Sequence, residues 1–381
     1  MSSTHPLACD AVFLSDLHLG SNQCEARDLE RFLELLRPRR LYLVGDIIDL
    51  QAIRYNANVD DAFLRDAVAA AMEAGGQGIE GLIETGELGG RRLLRSSHRR
   101  VLEALRRLLE EGCELVYVPG NHDALLRRHT GVLRPGLTVL LEDVYTTPNG
   151  LRLLVRHGDE YDRLLRLHTG LSHGLMQLQE HYSACVNGLR GLLPLPPPGQ
   201  PAAGAEGGGP EPILEAAAAL LASHGDWPVP LGDGLDASGG FSLAFALERA
   251  LKHRSGHDRL IKRMLLRHLQ RENRHRRLDG VINGHTHIPE ASAFAWPGEA
   301  ETGHSRPCHL QVFNDGSWAR SQPRLGRTAL VVGHDGAVGM VRYDRRSGIT
   351  PFRPPRFPFN TYPQRPCPGC GAPVSVLGPP G

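Results

Sequence analysis

Leu41-Tyr42-Leu43-Val44-Gly45-Asp46-Ile47-Ile48-Asp49 decides the fold of this chain. Its first four residues are an apolar run of buried-strand length, and the Gly-Asp that follows breaks the run and leaves a carboxylate at its carboxyl end. The layout recurs. Ala11-Val12-Phe13-Leu14 leads to Asp16-Leu17-His18, Leu115-Val116-Tyr117-Val118 to Gly120-Asn121-His122-Asp123, Leu153-Leu154-Val155 to His157-Gly158-Asp159, and Gly280-Val281-Ile282 to Gly284-His285-Thr286-His287. Strand ends therefore gather carboxylates, imidazoles and an amide along one edge of a sheet. Oxygen and nitrogen donors without cysteine suit a pair of divalent cations, and such a pair serves phosphate-ester chemistry.

Helical patterns lie between these motifs. Glu25 to Leu36 carries Leu29, Phe32, Leu33, Leu35 and Leu36 at helical spacing and is expected to end at Pro38; His98 to Glu111 presents Val101, Leu102, Leu105, Leu108 and Leu109, with Gly112 closing it. Strands alternating with helices predict an α/β fold with parallel pairing and right-handed crossovers. Two insertions interrupt the scheme. Residues 56–97 hold a short helical piece, Ala62 to Ala74, and then Gly75-Gly76-Gln77-Gly78; residues 194–240 are rich in Pro, Gly and Ala and read as disordered around a short helix near 213–222. From residue 308, Cys308–Phe313, Thr328–Val332 and Val338–Tyr343 predict antiparallel meanders of a second sheet packed on the first. One domain would span 8–345, followed by a flexible Pro-rich tail, 346–381.

A chain of 381 residues with 41% hydrophobic content can bury a sizeable core, and its net charge of +1 gives no global field for nucleic acid or acidic partners. Lys252 and Lys262 are its lysines; the other basic side chains are arginine, a compositional habit rather than a function. Seven cysteines without framework spacing, no apolar leader before Asp10 and no long apolar stretch predict a cytoplasmic protein, at most peripheral at the inner membrane surface.

Each donor has a reading of its own. Asp46 suits a bridge, since one carboxylate has two oxygens. Asp16 and His18 share a face if the segment is extended, and His285 and His287 repeat that spacing. Asn121 offers an amide oxygen and His157 completes the set. His122, flanked by Asn121 and Asp123, would sit over the phosphate and protonate the leaving oxygen, with Asp123 orienting its ring. Asp49 and Asp159 are partners for ligand imidazoles. Singly, each motif is an ordinary turn; together and in this order they define a site.

These motifs resemble, one for one, those of the calcineurin-like metallophosphoesterase superfamily: Asp-x-His, Gly-Asp-x-x-Asp, Gly-Asn-His-Asp, His-Gly-Asp and Gly-His-x-His. The resemblance implies a four-layer α/β/β/α sandwich and a dinuclear Mn, Fe or Zn centre, Mn foremost. It implies one metal on Asp16, His18, Asp46 and His287, the other on Asp46, Asn121, His157 and His285, and hydrolysis by metal-bound hydroxide. Ser15–Gly20, Val44–Asp49, Arg156–Asp162 and Phe313–Trp318 look like the UDP-2,3-diacylglucosamine pyrophosphatase-related branch. That narrower likeness implies cleavage of a UDP-linked lipid into UMP and a lipid monophosphate at the inner membrane surface. This chain carries His122 where that branch commonly has Arg, and Gln51 where it is often aromatic.

Weaker features remain. Lys252 to Arg277 is a basic helical stretch, an ordinary solvated face or a surface for anionic lipid or pyrophosphate, with Lys252 and Arg254 as candidate phosphate contacts. No aromatic residues interleave its bases, so nucleic acid is not expected. Cys367-Pro368-Gly369-Cys370 resembles half of a zinc ribbon or belongs to an unstructured tail. The first functional reading is hydrolysis of a phosphoanhydride such as a UDP-sugar lipid. The alternatives are another substrate (a phosphoprotein, a cyclic nucleotide or a nucleic acid) or a non-catalytic scaffold of the same fold.

Overall fold

A computed structural model describes residues 6–73, 86–162, 255–273, 275–295, 309–320, 325–354, 364–367 and 370–375. The expected insertion at 194–240, with its helix near 213–222, and the candidate contacts Lys252 and Arg254 lie outside the described residues.

The chain opens β1 (Leu7–Leu14), α1 (Ala26–Glu34), β2 (Leu36–Val44), α2 (Leu50–Asn56) and α3 (Asp61–Glu73). A two-stranded hairpin, β3 (Glu87–Leu88) and β4 (Arg91–Arg92), precedes α4 (Ser96–Glu110) and β5 (Glu114–Val118). Then come β6 (Gly131–Arg134), β7 (Leu137–Val139), β8 (Asp143–Thr146), β9 (Arg152–Val155), α5 (Ser255–Glu272), β10 (Gly280–Asn283), β11 (Glu290–Ala295) and β12 (His309–Asn314). The described chain finishes with β13 (Thr328–Val332), β14 (Val338–Asp344), β15 (Gly348–Phe352), β16 (Gln364–Pro366) and β17 (Pro373–Ser375).

Two sheets form, in the orders β15-β14-β13-β1-β2-β5-β7-β6 and β16-β17-β11-β12-β10-β9-β8. β1, β2, β5 and β7 run parallel, as do β9, β10 and β12. Strand alternation distributes the core. Val12 and Leu14, Leu41 and Leu43, Leu115 and Tyr117 face α1, α3 and α4, whereas Phe13, Tyr42, Val44, Val116 and Val118 face the second sheet. From that sheet Leu153, Val155, Ile282 and Phe313 fill the space between, while Leu154, Val281, Leu310 and Val312 pack under Ile261, Leu265 and Leu269 of α5. Phe13 stacks on Tyr42 at 4.7 Å between the ring centroids, and Tyr145 meets both edge-on.

Three expectations change. Pro38 does not end α1; it lies inside β2, which pairs with β1 from Leu36 but with β5 only from Arg40, so its missing N–H removes no bond to β5. β13 and β14 do not join the second sheet. β13 pairs antiparallel with β1 on the side away from β2 and carries β14 with it, leaving β12 as the one of the three expected meander strands in the second sheet. Nor is 346–381 a free tail throughout: β15 pairs with β14 as an edge strand, where Pro351 is tolerated, and β17 adds to β11.

Candidate metal centre

The ends of β1, β2, β5, β9 and β10 meet along one edge of the two sheets. There the loops continue the ladder: Asp16 N donates to Gly45 O at 3.0 Å, His18 N to Asp46 O at 2.9 Å and Asp49 N to Leu19 O at 2.8 Å. Gly284 N donates to His157 O at 3.0 Å, tying the second sheet's loops together in the same way. Asp16 (φ 52°), His18 (φ 50°), Asp46 (φ 54°), His285 (φ 69°) and His287 (φ 60°) all take the left-handed backbone that non-glycine residues avoid. Side chains at i and i+2 therefore converge through alternating turns, not along an extended strand as the spacing predicts.

Three groups of donors gather here. Asp16, His18 and His287 form the first, Asp46, His157 and His285 the second, and His18, Asp49 and His122 a third that shares His18 with the first. In the first, His287 Nε2 lies 3.0 Å from Asp16 Oδ1 and 3.2 Å from His18 Nε2. In the second, His157 Nε2 lies 3.2 Å from Asp46 Oδ2, and the His157 and His285 rings are 5.4 Å apart between centroids. The first two groups adjoin, because Asp46 also interacts electrostatically with His18, and Asp16 with His157.

The far sides of three of these rings are fixed. His18 Nδ1 faces Asp49 Oδ2 at 3.0 Å, His157 Nδ1 faces Val44 O at 2.9 Å, and His285 Nε2 faces Asp162 Oδ2 at 3.2 Å. A proton on His18 Nδ1 and on His157 Nδ1 turns the Nε2 lone pairs inward, toward carboxylate oxygens and another imidazole. Lone pairs at these separations repel unless a positive charge lies among them. Buried Asp16 Oδ1, Asn121 Oδ1 and His157 Nε2 accordingly accept no hydrogen bond. That donor set fits hard or borderline divalent cations.

Burial raises the carboxyls of Asp16, Asp46 and Asp49, but neighbouring imidazoles override it and hold all three well below the usual carboxylate range. His157 shows the converse: burial lowers it, and Asp46 beside it lifts it well above the ordinary histidine value. Protons and cations therefore compete for these donors.

His122 stands edge-on to His18, ring centroids 4.8 Å apart, its side chain 21% exposed and its Nε2 4.0 Å from Asp46 Oδ2. Its orienting carboxylate is Asp49, whose Oδ1 is 3.1 Å from His122 Nδ1. Asp123 does not orient it. The Asp123 carboxylate turns back into the protein, accepting from Ile47 N at 2.9 Å, Tyr117 OH at 2.7 Å and Gly120 N at 2.5 Å, and so braces the loops after β2 and β5. Asp159 is likewise taken up, by Arg127 at 2.6 Å. Arg127, Asp162 and the Asn314–Trp318 loop went unread as site residues in the sequence. Asn314 Nδ2 donates to Gly284 O, Ser15 Oγ lies 2.5 Å from both Asp16 Oδ2 and Asp315 Oδ1, and Ser317 Oγ donates to Asp16 O, so the loop braces two ligand-bearing turns. The Asn-Asp-Gly sequence signals a turn there.

A mixed α/β sandwich with two adjoining carboxylate–imidazole groups at its strand ends defines a metal-dependent hydrolase of phosphate esters. Compared with known families, residues 11–289 match the calcineurin-like phosphoesterase family, and the chain belongs to it. A search of curated proteins found no match to the chain. Among the described residues no helix is long and apolar enough to cross a membrane.

Proposed function

We propose that this phosphoesterase works with two divalent cations, manganese foremost, and hydrolyses a phosphoanhydride in a UDP-sugar lipid or a similar pyrophosphate. One observation carries the dinuclear reading: the first two three-donor groups adjoin, and Asp46 acts on both. Held there, the ions supply Lewis acidity and an activated water. Asp16, His18, Asp46 and His287 would hold one, and Asp46, Asn121, His157 and His285 the other.

The protein's own residues do the rest. Asp49 stays ionised because His122 and His18 hold its carboxyl low, so it keeps both rings in one tautomer and one orientation. His122 Nε2 then points into the site to stabilise the phosphoryl charge and to protonate the leaving oxygen. Arg127, anchored on Asp159 and on Pro119 O, places positive charge beside the second group.

The pyrophosphate class is supported by the Arg156–Asp162 and Phe313–Trp318 motifs. Peripheral contact with the inner membrane surface, from the cytoplasm, belongs to the same proposal and finds support in exposed Arg267 and Arg271 on α5. Lys262 of that helix takes no part, being buried on Glu290. The test is a turnover screen with Mn²⁺ against nucleotide-sugar pyrophosphates, UDP-diacylglucosamine and simple phosphomonoesters, with Asp46→Ala as control. Preference for pyrophosphates, abolished in that variant, is the expected result. Preference for monoesters, phosphoproteins, cyclic nucleotides or nucleic acid would overturn the substrate class. A metal-free, inactive protein would overturn the enzyme.

A further inference from the structure

β16 and β17 form a hairpin whose connection carries Cys367 and Cys370. The turn is closed by Gly371 N donating to Cys367 O at 2.8 Å and Cys367 N donating to Ala372 O at 2.7 Å, with Gly371 at φ +73°. Cys367 is buried and Cys370 exposed. β17 pairs with β11 at Phe294↔Ser375, and β11 pairs with β12 at Ala295↔His309. His309 opens β12, two strands across the sheet from β17. Cys370 Sγ lies 3.8 Å from His309 Nδ1, and donor atoms of Cys367, Cys370 and His309 lie within 4.8 Å of one another.

Around a tetrahedral zinc ion, bonds of about 2.3 Å to sulfur and about 2.0 Å to nitrogen separate the donors by about 3.5–3.8 Å. The observed spacing is within reach of that geometry. A Cys-x-x-Cys turn supplies two ligands from one loop, and a residue distant in sequence supplies the third. The structure assigns to Cys367, Cys370 and His309 a zinc site that clips the carboxyl-terminal hairpin onto the second sheet. Solvent would supply the fourth donor. Two thiolates neutralise the dication and prefer zinc over manganese or magnesium, whereas the carboxylate–imidazole centre contains no sulfur. One chain would then sort two kinds of metal by donor softness, and the second site has no need of the phosphoesterase chemistry.

The 381-residue chain, purified under reducing conditions, is expected to retain a zinc ion that resists mild chelation. Replacing that zinc with Co²⁺ should produce a near-ultraviolet thiolate-to-cobalt band, a signature that the sulfur-free centre cannot give. Cys370→Ser, at the exposed position, should lose the band and one zinc per chain while keeping Mn²⁺-dependent turnover; His309→Ala should do the same. Wild-type protein that takes up cobalt without the band, or a Cys370→Ser variant that keeps it, would overturn the assignment. So would a Cys367–Cys370 disulfide in the reduced preparation.

Discussion

Gly120→Ala tests how tightly the backbone is pressed against the centre. A Cβ at Gly120 would stand 2.2 Å from Asp46 Oδ1, 2.6 Å from Asp46 N and 2.8 Å from His157 Cδ2. Ordinary contact begins near 3.4 Å, so the Asp46 oxygen must retreat by about 1.2 Å. It has little room: Asp46 is 1% exposed, and Oδ1 already accepts from His122 N at 2.8 Å. Gly120 does not need a positive φ, so the perturbation is steric and not conformational. A misplacement of about 1 Å in a catalytic constellation costs about 10²-fold in rate, and overpacking costs about 1–3 kcal/mol of stability. The assay is kcat on a chromogenic phosphodiester with saturating Mn²⁺, alongside metal content and thermal unfolding. Gly339→Ala is the control, since its Cβ meets nothing within 4 Å. A Gly120→Ala enzyme with wild-type kcat and full metal content would refute the argument that this glycine exists to admit the Asp46 carboxylate.

Asp49→Asn removes the anionic partner of both His18 and His122, and metal affinity and turnover should fall about 10–100-fold, checked by metal titration and steady-state kinetics. His98 sits buried in α4 and accepts from Gly20 N through Nδ1, and burial, aided by Arg95 and Arg320, pulls its pKa from 6.5 to about 4. The folded state therefore binds fewer protons than the unfolded one between those values. Stability is full above about 6.5 and falls by about 3 kcal/mol as pH drops to about 4; denaturation curves of His98→Gln across that window should be flatter than wild type. Lys262→Met strands the buried Glu290 carboxylate and should destabilise by about 3–5 kcal/mol, whereas Lys262→Met with Glu290→Leu should recover most of it; equal losses in single and double variants on urea unfolding would deny the pair.

The strands that build the site were legible because each is an uninterrupted apolar run ending in a Gly or a polar ligand, a pattern that parallel sheets covered on both faces impose. Sheet membership was not. β13 and β14 carry the same apolar texture as β12, and nothing in the residues says that β13 returns to the free edge of β1. Pro38 misled for a local reason: it reads as a breaker unless the one-sided pairing of β2 before Arg40 is known. At the site, residue types identified the donors, but their aim was hidden. Adjacency assigned Asp123 to His122, yet within its turn Asp123 folds back onto Gly120 N, and no periodicity reveals that.

Asp49 shows how the fold resolves the assignment. It is the N-cap of α2, accepting from Ala52 N at 2.8 Å, and the same carboxylate holds the Nδ1 atoms of His18 and His122. An Asp immediately before an apolar helical run is a capping signal that the sequence does contain. Capping fixes the carboxylate where the helix begins, and the helix begins where the β2 loop ends, so ring orientation follows from chain direction. The left-handed residues obey the same logic. Each costs about 1–3 kcal/mol, a strain tolerated only where the surroundings over-determine the backbone. Here Trp318 N and Ser317 Oγ hold Asp16 O, while Asp46 O and Ile47 O accept from His18 N and Leu19 N. Loops from both sheets thus hold the ligand backbones by hydrogen bonds of their own, and the donors converge from these braced turns.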